Sequence, residues 1–107
     1  MVMENSMSRI QVDQAKLLEL RTKEARELFK KERAKAVAAI VVEVDGLLFD
    51  GDEVAQTRMA RAALVMQDGE TTTWVQANNI PAEVTKEQLV EAIRLAGAEQ
   101  TAVWVMP

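Results

Sequence analysis

Three hydrophobic patterns follow one another along the chain. From Arg9 to Ala39 there is neither Gly nor Pro, and Leu, Glu, Lys, Arg, Ala and Gln dominate. These are strong helix formers. They predict a helix of about 28 residues, about 42 Å long at 1.5 Å per residue. Residues 1–8 show no periodicity, which predicts a frayed or partner-ordered start with Ser8 as a candidate N-cap. Leu18, Ala25, Leu28, Phe29 and Ala36 fall on one helical stripe, flanked by Leu17 and Leu20. A strict heptad from Leu18 places Arg21, Glu32 and Lys35 at a or d positions, so a long two-stranded coiled coil is poorly specified. A bare helix of this length is marginal without packing. Two readings follow. In one, the last turns pack on the rest of the chain and the first turns stay in solvent. In the other, the Ile10–Phe29 part bundles with copies of itself or with another protein. The second makes Ile10, Leu17, Leu18, Ala25, Leu28 and Phe29 the candidate interface.

After Lys35 the pattern shifts to β-branched residues. Val42 and Val44 alternate with Glu43, a strand signature. Asp45-Gly46 is a type I′ hairpin signal, because both central residues need φ > 0 and Asp and Gly tolerate it. Leu47-Leu48-Phe49 returns as the second strand. A helix follows to about Met66, with Asp50 or Asp52 as its cap; Asp50 and Glu53 have capping-box spacing. Ala55, Met59, Ala62, Ala63 and Met66 form its apolar stripe. Gly69 stands where a left-handed C-terminal residue usually ends a helix.

The third pattern repeats the second in outline. Thr71-Thr72-Thr73-Trp74-Val75 is rich in β-formers. Asn78-Asn79 is a turn pair, and Ile80-Pro81-Ala82-Glu83-Val84 is a short extended piece that Pro81 confines to an edge. Thr85-Lys86-Glu87-Gln88 is a capping box, and Leu89, Ala92, Ile93 and Ala96 give the stripe of a final helix. Gly97 ends that helix or the stripe continues through Gln100, Val103 and Trp104; residues 101–106 read equally well as a strand. The expected class is α+β: a long N-terminal helix, then a small domain of β-hairpin, helix, short strand pair and helix, with the helices on one face of a small antiparallel sheet. The expected division is a 1–38 arm and a 39–107 domain.

Composition sharpens this picture. The 107 residues are 49% hydrophobic, yet Phe29, Phe49, Trp74 and Trp104 are the only aromatics. Both tryptophans are therefore expected in the core, with Met59 and Met66 as fillers. A body of about 70 residues is often marginal alone, so self-association or a larger partner would add burial. The net charge of -4 divides into +3 over residues 1–37 and -7 over 38–107. That balance disfavours a nucleic-acid or anionic-membrane partner and fits a basic arm packing on an acidic body between copies. The basic run Lys30-Lys31-Glu32-Arg33 is broken by an acid and lacks interleaved aromatics.

Little chemistry is available. Without Cys there is no disulfide or thiolate, and without His the commonest general base and metal ligand are missing. No apolar run approaches the ~20 residues of a membrane span. Met1–Ser6 lacks the basic and apolar regions of a signal peptide, so a reducing cytoplasm, or a particle assembled in one, is the expected compartment. The acidic cluster Asp45, Asp50, Asp52 and Glu53 is the one candidate site. As a calcium loop beginning at Asp50 it fails, with Val54 at the fifth position and no Gly at the sixth. No phosphate-binding Gly-rich loop accompanies it for magnesium. Turn, cap and helix-dipole roles account for all four acids. Arg58 is expected to pair with Asp52 or to reach Asn78. No cofactor is expected.

The line Val44-Asp45-Gly46, Phe49-Asp50-Gly51-Asp52-Glu53-Val54-Ala55-Gln56-Thr57-Arg58-Met59, then Trp74, Asn78-Asn79, Thr85 and Leu89, resembles a domain family of unknown function, the DUF4376 type. The resemblance covers about residues 15–104. That family occurs mostly in proteins of tailed bacteriophages and prophages, often near tail-fibre genes. Its pattern is a hairpin, an Asp-Glu-x-Ser-Gln-x-Arg-Met-like helix start, a Trp, an Asp-Asn pair and a Thr-capped last helix, often after a basic helix. Ala55 stands where Ser is frequent and Asn78 where Asp is frequent. The matching motif positions are Asp45, Gly46, Asp50, Asp52, Gln56, Arg58, Met59, Trp74, Asn78 and Thr85.

The resemblance carries no catalytic residues to this chain. It implies a non-enzymatic tail-associated structural protein, a tail or tail-fibre component in the virion, made in the host cytoplasm. Its partners would be other phage tail proteins and copies of itself, with no nucleic acid and no membrane. The alternatives are an assembly chaperone not retained in the virion, and a small regulatory or accessory domain.

Overall fold

In the computed structural model the backbone is described for residues 2–105 and the side chains for residues 14–105. The elements run α1 (Val2–Ala38), β1 (Val41–Val44), β2 (Leu47–Asp50), α2 (Glu53–Val65), β3 (Thr71–Val75), β4 (Pro81–Thr85) and α3 (Lys86–Trp104). This is an α+β chain, with a long first helix followed by hairpin, helix, strand pair and helix. Two compact units are present, residues 1–32 and residues 33–107.

The first unit is helical from Val2. Ser8 therefore lies inside α1 rather than capping it; no Gly or Pro between residues 2 and 8 interrupts the helix. Every side chain from Gln14 to Glu32 is exposed. Local contacts are those of a lone helix. Thr22 Oγ1 donates to Leu18 O at 2.9 Å, and Lys30 pairs with Glu27 at 3.7 Å. Exposed pairs of this kind contribute only a few tenths of a kcal/mol, about 0.3–0.5.

The second unit holds the core. β1 and β2 form one antiparallel hairpin, in register Val42↔Phe49 and Val44↔Leu47. Alternation puts Val42, Val44 and Phe49 inward, while Val41, Glu43 and Asp50 face out. Asp45 and Gly46 have φ of 52° and 81°, the two positive values of a type I′ turn. β3 and β4 form a second hairpin, in register Thr72↔Val84 and Trp74↔Ala82. Each hairpin is its own two-stranded sheet; the single small sheet expected from sequence does not form. A loop crosses the gap instead. Ala77 N donates to Leu48 O at 3.0 Å, and Leu48 N donates to the Gln76 side-chain oxygen at 3.0 Å. These bonds satisfy the outer edge of β2 where another strand would otherwise pair.

α3 packs on α2, on β1 and on β4. It contributes Leu89, Ala92 and Ala96 to a core that also contains Phe49, Met59 and Val84, all six fully buried. The small residues of α3 permit a close approach. A Cβ on Gly51 would meet the Ile40 side chain and stand 3.0 Å from Ala96 Cβ, so this position admits only glycine without movement. Gly97 does not end α3, which continues to Trp104. With no proline nearby, one glycine costs only about 1 kcal/mol against alanine and does not stop a helix packed along one side.

Three other expectations are corrected. Trp104 is 54% exposed on the last turn of α3, where Val103 packs on the core in its place, whereas Trp74 is half-buried and packs against the core. Gly69 has φ of 79°, but α2 stops at Val65 and its C-cap, Met66, is extended. Gly69 instead serves the turn closed by Glu70 N donating to Gln67 O. Asp50 closes β2 and forms no capping box with Glu53; Asp52 occupies the N-cap position of α2, but its carboxylate accepts no cap hydrogen bond.

Candidate interaction surface

The motif positions divide by what they touch. Gln56, on the first turns of α2, donates from its amide nitrogen to Gly51 O at 2.9 Å and to the Gln100 side-chain oxygen at 2.8 Å. Gln100 in turn donates to Glu53 Oε1 at 2.8 Å. This chain of amides ties the start of α2 to the end of α3 across 44 residues. Met59 beneath it is fully buried.

At the other end of α3, Thr85 Oγ1 accepts from Gln88 N at 3.1 Å, and Thr85 N donates to Gln88 Oε1 at 2.9 Å. This is the capping box expected from the sequence. Gln88 has a second role that the spacing did not disclose. Its amide nitrogen donates to Asp45 Oδ2 at 3.2 Å, so one side chain holds both the helix cap and the first hairpin turn.

The second hairpin turn uses both asparagines. Asn78 Oδ1 accepts from Ile80 N at 3.0 Å, and Asn79 takes φ of 66°, a left-handed value Asn tolerates. An aspartate at 78 would offer the same oxygen, so Asn in its place leaves this contact intact. Gln76, the one buried polar side chain among the described residues, spans this turn by donating to Ile80 O at 3.2 Å. Ala55 sits half-buried on α2.

Arg58 has no such role. It is exposed and bonds neither Asp52 nor Asn78. Past residue 38, Lys86 pairs with Asp68 at 3.5 Å and Arg94 with Glu91. Hydrogen bonds from Arg94 hold the Glu91 carboxyl below its ordinary range and raise Arg94. Arg58 and Arg61 have no carboxylate partner among the described residues, and they lie on the outer side of α2 with exposed Val54, Leu64 and Val65.

The acidic cluster does not converge. Asp45 meets Gln88, Glu53 meets Gln100, and no metal-binding group of His, Cys, Asp and Glu occurs among the described residues. Among those residues, no helix is long and apolar enough to cross a membrane.

A run of exposed apolar side chains lies on the first unit. Leu17, Leu18, Leu20, Leu28 and Phe29 are each between 47% and 62% exposed, and Ala25 is exposed beside them. Ile10 lies outside the described side chains. The hollows along this helix, such as the one bounded by Gln14, Leu17, Leu18 and Arg21, are grooves between side-chain ridges of the kind another helix fills.

No curated protein and no solved structure matches the chain. A family model described as a domain of unknown function, DUF4376, matches residues 11–105, and the chain belongs to that family.

Proposed function

We propose that the protein is a non-enzymatic structural component of a bacteriophage tail, assembled through its N-terminal helix. One observation carries the assembly part. Leu17, Leu18, Leu28 and Phe29 stand in solvent on a helix that meets no other element of its unit. A helix in that position is marginal by itself, and an apolar stripe of this extent marks a surface used by another molecule. The phage setting rests on the family resemblance: a basic helix before a hairpin, an Arg-Met helix start and a Thr-capped last helix. The second unit supports a scaffold role, since its glutamines Gln56, Gln76, Gln88 and Gln100 are spent on tying turns to strands and helix ends.

Mass spectrometry of purified particles from a host carrying the gene tests this. The expected result is the protein present at a fixed ratio to known tail proteins. Absence from particles, with the protein abundant in the lysate, would reject the structural reading in favour of an assembly factor that leaves.

A further inference from the structure

We infer that the helix pairs with a second copy of itself in antiparallel orientation, about a two-fold axis near Lys23. This rests on the reading of the helix as the assembly element, and it adds the partner and the geometry. The argument is one of charge and size along the exposed stripe. With Leu18 at position a of a heptad, Ala25 and Glu32 are also a, and Gln14, Arg21 and Leu28 are d. Ala15 and Phe29 fall at e, and Leu17, Glu24 and Lys31 at g.

A parallel, in-register pair sets each seam residue against its own copy. Arg21 then faces Arg21 and Glu32 faces Glu32, two like-charge contacts inside a short seam. In the antiparallel pair each a position faces a d position. Leu18 meets Leu28 of the second copy, Arg21 meets Ala25, and Gln14 meets Glu32, each occurring twice by symmetry. Both like-charge contacts vanish. The sizes also match: the long Arg21 side chain lies over Ala25, and Phe29 at e lies over Ala15. Arg21 is brought beside Glu24 of the second copy, the residue preceding Ala25, so the two Glu24 carboxylates near the axis each gain a cation. Lys31 lays its stem over Leu17 while keeping its ammonium in water. The exposure of every side chain from Gln14 to Glu32 leaves this face open to such a partner.

Leu20 provides a control within the same helix. It is 51% exposed, as apolar as Leu18, and falls at c, off the seam.

The test uses the full chain, which has no cysteine of its own. Leu18→Cys and Leu28→Cys are made separately, mixed in equal amounts and equilibrated in a glutathione redox buffer. The expected product is the mixed 18–28 disulfide, with each variant alone remaining mostly reduced. Sedimentation equilibrium of cysteine-free variants runs beside it. Leu18→Asp and Leu28→Asp should weaken association about 10- to 100-fold, since each places an unpaired charge in the seam. Leu20→Asp should change it by less than about twofold, as surface changes usually do. Predominant 18–18 and 28–28 disulfides would overturn the antiparallel geometry and leave helix-mediated assembly standing. A wild-type monomer at about 100 μM, with no disulfide in the mixture, would overturn self-pairing altogether. The tail reading would then be decided by the particle experiment alone.

Discussion

Leu28 and Phe49 are side chains of the same general kind with opposite fates. Leu28 is 56% exposed on the first unit and Phe49 is fully buried in the second. The difference is one of where the order comes from. Residues 14–32 are helical because each residue favours helix locally, with i,i+3 and i,i+4 contacts as the only additions. Residues 33–107 are ordered because distant segments close on one another: β1 on β2, α2 on α3, and α3 back onto β1. Propensity builds a helix without choosing a neighbour for it, whereas non-local packing fixes neighbours and gives the unit a buried core.

Substitution separates the two regimes. The largest effect is expected from Phe49→Ala, which removes a fully buried ring and should cost the second unit about 3–5 kcal/mol. Leu28→Ala should leave that unit's denaturant midpoint unchanged. Urea titration followed by the fluorescence of Trp74 and Trp104 measures both; a shared loss would mean that the two units unfold as one. Next is Gly51→Ala, whose added methyl meets Ile40 and Ala96 and should cost about 1–3 kcal/mol by overpacking. Gly46→Val should cost about 1–2 kcal/mol for a different reason. Space is open there, and the penalty is the left-handed backbone alone. If Gly46→Val is neutral, the turn tolerates another geometry. The smallest effect has the opposite sign. Gly97→Ala, inside α3 with open space around it, should stabilise by about 0.5–1 kcal/mol, read as a raised midpoint in the same titration.

Much of this architecture was legible in the residues. Asp45-Gly46 dictated its turn, because few dipeptides accept two positive φ values. Thr85 and Gln88 announced their cap by spacing, and the absence of Gly and Pro announced α1. What stayed hidden depends on the approach of segments far apart in the chain. Gly51 reads as part of an acidic cap, yet its role is to let Ile40 and Ala96 come close. Asp52 has the chemistry of a cap and the right position, but its side chain takes no part. Trp104 looks like core in a chain with four aromatics, but on the last turn of α3 it is Val103 that packs on the core, while Trp104 is exposed. Of the candidate surface, the stripe was visible in the spacing; the proposed orientation of a second helix depends on which seam residue would face which.

The hydrogen bond from Gln88 to Asp45 joins residues 43 positions apart, and α3 also covers β1. Its consequence is temporal. A ribosome delivers the chain from the N-terminus, so α1 emerges before the hairpin, able to coil from local preference alone. The first hairpin follows but waits, its turn untethered and its inner face uncovered, until α3 has been made. On neighbouring ribosomes of one message, the proposed pairing of two helices would be free to start before either body is finished.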